Sequence, residues 1–174
     1  MHDNRQLTFG AGALAAAMAA TVATALAFEH LGGFIPCKLC LEQRMPYYVG
    51  VPLMVLAALS AGFGPTRLGR RASDALARIL IAAAGLLMIW GLSLAVYHSG
   101  VEWHWWAGPS DCGAVAGGPA GDGQGVLDML NQVVPPSCDE AAGRFLGLSF
   151  ANWNVVASLI LGPAALLLAW RGRF

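Results

Sequence analysis

Between Leu7 and Phe28 the chain carries no charged side chain, and its residues are almost all Ala, Gly, Leu, Met, Thr and Val. As a helix, at about 1.5 Å per residue, that run reaches about 30 Å, the thickness of a bilayer's hydrocarbon core. Three further apolar runs follow, Met45 to Phe63, Leu76 to Tyr97 and Trp153 to Trp170. A chain of 174 residues that is 57% hydrophobic and 11% charged has too little polar surface to hide four such runs from water. Lipid must cover them, and in lipid the backbone has to satisfy its own hydrogen bonds. The expected fold is therefore all-α: a single transmembrane domain over 1–174, a four-helix bundle with helices at about 7–28, 45–63, 76–97 and 153–170. Pro46 and Pro52 predict a kink in the second helix.

Charge sets the orientation. Arg5, Arg67, Arg70, Arg71, Arg78, Arg171 and Arg173 fall in three segments that alternating spans bring to one side, which the positive-inside rule makes cytoplasmic. Both termini and a loop at about 64–75 are then cytoplasmic, and loops at about 29–44 and 98–152 lie outside. Arg5 and Ala25-Leu26-Ala27 also fit a cleaved signal peptide, but the run is longer than a usual signal core. With either fate, the residues after it leave the cytoplasm. A net charge of zero, with basic residues segregated and not patched, argues against a nucleic-acid partner. In the second outer loop, Trp103, Trp105 and Trp106 read as an interfacial belt and 107–125 as a Gly- and Pro-rich loop. Residues 126–134 have the spacing of a short amphipathic helix, stopped by Pro135-Pro136.

All four cysteines, Cys37, Cys40, Cys112 and Cys138, belong to the outer loops. On the periplasmic side of a bacterial membrane that is an oxidising position. Cys37 and Cys40 form a Cys-x-x-Cys pair, a loop too short to restrain much unfolded chain but suited to reversible exchange. Should a helix begin near Lys38, Arg44 sits one turn beyond Cys40, and cation and helix N-terminus together favour the Cys40 thiolate. Cys112 and Cys138 are separated by twenty-five residues, unlike the compact ligand pairs of structural zinc, so no metal is expected. Covalent haem is disfavoured because Leu41 follows Cys40 where His would be needed. A Cys112–Cys138 disulfide would tie the Gly-rich loop down while exposing sulfur to an attacking thiolate. Structural or metal-binding cysteines that merely staple or ligate the loops are the alternative. Glu42 and Gln43 lie off the Cys40–Arg44 line and receive no chemistry; Arg44 and His98, taken alone, also read as interfacial polar residues.

Pro36-Cys37-Lys38-Leu39-Cys40-Leu41-Glu42-Gln43-Arg44, the Tyr97-His98 pair, Pro135-Pro136-Ser137-Cys138-Asp139-Glu140 and Phe145-Leu146-Gly147-Leu148 occur in this order around the expected spans. Together they resemble the DsbB family of quinone-linked disulfide-forming proteins of the bacterial inner membrane, from about Phe28 to the C-terminus. The resemblance implies a protein-disulfide oxidoreductase that reoxidises a DsbA-like thioredoxin-fold partner and delivers electrons to ubiquinone or menaquinone. It further implies redox disulfides Cys37–Cys40 and Cys112–Cys138, a Cys37–Cys138 intermediate, and quinone binding by Arg44 and His98. A vitamin-K-epoxide-reductase-like enzyme shares the chemistry but not the order of motifs.

Overall fold

A computed structural model describes residues 2–63, 69–109 and 137–171. Its four long helices are α1 (His2–His30), α3 (Met45–Phe63), α4 (Arg70–Glu102) and α5 (Phe150–Arg171), with a five-residue helix α2 (Lys38–Glu42) leading into α3. All four are long and apolar enough to cross a membrane. A two-residue ladder, β1 (Arg144–Phe145) against β2 (Leu148–Ser149), precedes α5. Cys112 and the expected surface helix over 126–134 lie outside the described residues.

The helices run past their apolar cores. α1 starts at His2, and α4 occupies Arg70–Glu102 where the sequence suggests a loop to 75 and a stop at 97. Each hydrogen bond added to an existing helix fixes one residue only, so polar flanks extend the helix at little cost once the core has nucleated it. Arg78, two turns into α4, stays near the polar boundary by donating from Nη1 to the Ala169 carbonyl at the end of α5, 3.1 Å away.

Small residues let the helices approach. α1 packs mainly on α3, α3 on α4, and α4 on α5. Ala11, Met18, Met54, Ala57, Ile81, Ala84, Met88 and Ala165 form the central core. A Cβ on Gly50 would meet Met18 at 2.6 Å, and one on Gly85 would meet Leu166 at 2.9 Å, so neither contact tolerates a larger residue unchanged.

Two devices outside the bundle fix the end that bears the cysteines. After α4 the chain folds back: Trp106 Nε1 donates to the Tyr97 carbonyl at 2.8 Å, and the two rings lie parallel with centroids 6.1 Å apart. Gly100 makes this possible, because a Cβ there would fall 2.0 Å from the Trp106 ring. The tryptophans read as a belt therefore also cap the helix that carries His98. The hairpin turns on Leu146 and Gly147, with φ of 53° and 83°, the doubly left-handed turn that matches strand twist. Trp153 Nε1 ties it to α5 by donating to the Phe145 carbonyl at 2.9 Å.

Candidate functional site

Cys37 is the N-cap of α2, and its sulfur accepts from the Cys40 backbone N–H at 3.3 Å. A Cys-x-x-Cys spacing on a helix start necessarily brings the second sulfur back over the first turn, and the Cys37 and Cys40 Sγ atoms lie 3.0 Å apart as free thiols. His98, buried in α4, places Nε2 3.6 Å from Cys37 Sγ. Charge therefore settles on Cys37. Its pKa is lowered from 9.0 to about 4, chiefly because the Cys40 thiol bonds to it, then because of His98, with burial opposing.

This differs from the expected thiolate at Cys40. The helix is broken where that expectation needed it continuous: Gln43 caps α2, α3 restarts at Met45, and Arg44 N–H bonds to the Leu41 carbonyl at 3.1 Å. Arg44 turns instead to Glu29 at the end of α1, with which it forms a part-buried ion pair. The cation is thus held at the site but partly neutralised.

Gln43, assigned no chemistry from sequence, is buried and central. Tyr47 OH donates to Asn154 Oδ1, Asn154 Nδ2 donates to Gln43 Oε1, and Gln43 Nε2 meets His98 Nδ1, each at 2.6 Å. Ser158 Oγ lies 3.4 Å from the Tyr47 hydroxyl. With Nδ1 accepting from the amide, His98 carries its hydrogen on Nε2, the nitrogen facing Cys37. Glu102, one turn further along α4, puts Oε1 3.8 Å from that Nε2, and its buried Oε2 has no partner among the described residues. Asn154, Ser158 and Glu102 lie outside the motifs named above and Gln43 is flanked by Glu42 and Arg44, so only the helix register could have singled these side chains out.

Cys40, Gln43, Arg44 and His98 form the polar end of a cavity of about 470 Å³ between α1 and α5. Its walls include Val22, Phe28, Phe34, Phe145, Phe150 and Ala157. Phe150 stands 4.9 Å from Phe28 and 5.6 Å from Phe34 between ring centroids, an aromatic lining at the mouth. A flat ring with polar atoms on its edge and an apolar tail would fit this cavity, which Arg44, Gln43 and His98 line at one end and hydrocarbon lines elsewhere. On the other side of the pair, Cys138 is disulfide-bonded and packs with Cys37, Leu39 and Val101 in one buried cluster that Cys40 flanks.

A buried dithiol, a third cysteine packed against it and an apolar cavity inside a four-helix membrane bundle together define a membrane thiol–disulfide oxidoreductase. The family model for disulfide bond formation protein DsbB matches residues 7–168. Disulfide bond formation protein B of Methylococcus capsulatus is 34% identical over 155 residues, covering 89% of this chain and 89% of that protein. Disulfide bond formation protein B 2 of Pseudomonas putida is 32% identical over 175 residues, covering 97% and 95%. The protein of that name from Aromatoleum aromaticum is 29% identical over 154 residues, covering 85% and 83%. No solved structure matches. The chain belongs to the DsbB family, multi-pass inner-membrane oxidoreductases that reoxidise DsbA and use membrane quinones.

Proposed function

We propose that in this chain electrons from DsbA pass through Cys112–Cys138, then Cys37–Cys40, and leave from Cys40 into a quinone held in the α1–α5 cavity. The observation that carries this reading is the shared position of Cys37, Cys40 and Cys138: one buried cluster, with Cys40 also lining the cavity. Cys138 is disulfide-bonded while Cys37 and Cys40 are free, in a chain of four cysteines, which supports Cys112 as its partner.

The steps balance as thiolate exchanges. A DsbA thiolate attacks Cys112 and releases Cys138; Cys138 attacks Cys37 and releases Cys40. The second DsbA thiolate then displaces Cys112 from the mixed disulfide, and Cys112 displaces Cys37 from Cys138. Reoxidation of the Cys37–Cys40 dithiol yields two electrons and two protons, and the quinone supplies a two-electron, two-proton acceptor. His98 N–H facing Cys37 stabilises that sulfur as leaving group, which matches the low thiol pKa of Cys37. Arg44, oriented by Glu29, supplies positive charge at the polar end of the cavity, where negative charge develops. In this arrangement the termini and the Arg-rich connection are cytoplasmic and the thiols periplasmic.

Trapping tests the route. Reduced DsbA lacking its resolving cysteine should attack the Cys112–Cys138 disulfide of the unaltered protein, expel Cys138 and stay attached because it has no second thiol to release it, and mass spectrometry should place the bond at Cys112. A bond mapped to Cys37 or Cys40 would reverse the order of the two pairs.

A further inference from the structure

We propose that the reduced site is a redox-gated binding site for one thiophilic divalent cation of the Zn²⁺ type, with Cys37 Sγ, Cys40 Sγ and His98 Nε2 as ligands, and that occupancy blocks electron transfer. This is distinct from the four-cysteine staple, since it uses neither Cys112 nor Cys138. The three donor atoms all lie within 4.8 Å of one another. With Zn–S of about 2.3 Å and Zn–N of about 2.0 Å, tetrahedral angles require about 3.8 Å between sulfurs and about 3.5 Å between sulfur and nitrogen. Cys37 Sγ and His98 Nε2 are already 3.6 Å apart. The sulfurs, at 3.0 Å, need to separate by less than an ångström, a side-chain rotation at a helix start.

Ligation needs the Nε2 lone pair, so the hydrogen has to move to Nδ1. The chain behind His98 permits this because every member both donates and accepts. Turned over, the Gln43 amide accepts from Nδ1–H through Oε1, the Asn154 amide turns with it, and Tyr47 OH accepts from Asn154 and donates to Ser158. A metal-bound histidine usually has such an oxygen on its other nitrogen. Two thiolates neutralise the cation, so the filled site is uncharged where charge is costly to bury. The fourth position is left for a water, with Glu102 Oε2, which has no partner among the described residues, as a nearby acceptor. Binding displaces the one thiol proton that remains, that of Cys40, and transfers no electrons; the Cys37–Cys40 disulfide cannot bind, which makes occupancy depend on redox state.

Only the blocking effect rests on the proposed electron route. The test uses detergent-purified Cys112→Ser/Cys138→Ser protein, whose remaining thiols are Cys37 and Cys40, reduced and titrated anaerobically with Co²⁺. One equivalent should give tetrahedral ligand-field bands and a sulfur-to-cobalt charge-transfer band, both absent after reoxidation to the disulfide. His98→Ala should bind at least about tenfold more weakly, and Gln43→Ala, which keeps all three ligands, about tenfold more weakly. In the otherwise unaltered protein, pre-reduced and given Zn²⁺, quinone reduction should stop and return on chelation. Absence of the charge-transfer band, or an affinity in both variants unchanged from that of the parent, overturns the metal site. Quinone reduction without Co²⁺ binding would leave the proposed function standing; Co²⁺ binding without quinone reduction would remove the electron route and keep the metal site.

Discussion

His98 and Cys37, sixty-one residues apart in the chain, meet with Nε2 3.6 Å from Sγ, both side chains buried. That contact joins the loop bearing the dithiol to the longest helix of the bundle, and it adds to the Cys40 hydrogen bond that makes Cys37 the sulfur that carries charge. Alone, a histidine at this position is an interfacial polar residue. Held by Gln43 on one nitrogen and facing sulfur with the other, it is a group whose tautomer follows the orientation of the Gln43 amide.

A thiolate should accordingly survive in the reduced protein well into the acid range. The absorbance of Cys37 thiolate near the far ultraviolet should fall with a midpoint of about 4 and not 9.0, and His98→Ala should move the midpoint up. The linkage follows the depressed-acid case. The folded state favours the charged form, so the stabilisation is complete above the ordinary thiol value, declines as pH falls below it, and is lost through about 4. Urea unfolding of reduced protein across this window, compared with Cys37→Ser, should show that pH-dependent component only in the former.

The amide chain should matter beyond packing. Asn154→Ala removes the partner of both Gln43 and Tyr47, leaving buried polar atoms unmatched at a cost of about 1–3 kcal/mol. Quinone reduction should drop about tenfold or more, and its pH profile should shift because Gln43 no longer holds the His98 hydrogen at Nε2. A loss of rate with an unchanged profile would make Asn154 structural only.

Glu29 orients Arg44 without lining up with either sulfur. Glu29→Gln should raise the quinone KM several-fold and leave kcat within about a factor of three, since the cation stays but its position loosens. Arg44→Lys, which loses the planar fork, should raise KM and lower kcat.

Away from the chemistry, Leu146 occupies a left-handed backbone conformation with φ of 53° while its side chain is 79% exposed. Leu146→Asn should therefore stabilise the hairpin by about 0.5–1 kcal/mol, because Asn tolerates that conformation and Leu does not. Thermal unfolding of the detergent-solubilised protein measures it. Gly147→Ala, at φ of 83°, should move the midpoint the other way.

What could be read from the sequence follows from signal length. The four spans are legible because apolar runs as long as Leu7 to Phe28 need lipid to cover them, and Cys37 and Cys40 because their spacing brings both sulfurs to one helix start. Gln43 and Asn154 are not legible: they are 111 residues apart, and nothing local says that they hydrogen-bond. The Cys40–Arg44 relation fails because Pro46 has no N–H for the Glu42 carbonyl and its ring crowds it, so α2 ends at Glu42 and α3 restarts at Met45, while partners on α4 and α5 hold Gln43 between them. The hairpin is hidden because Leu146-Gly147 lacks the Asn or Asp that usually marks such a turn.

The central claim is that Cys40 is the exit for electrons, with Arg44 serving the acceptor. Single-turnover mixing of the pre-reduced protein, without DsbA, with one equivalent of quinone under anaerobic conditions isolates that step. The account expects about one quinol per chain, none in Cys40→Ser, and in Arg44→Ala a rate at least about tenfold slower with the same final yield. Stoichiometric quinol from Cys40→Ser, or an Arg44→Ala rate equal to that of the unaltered protein, would contradict it.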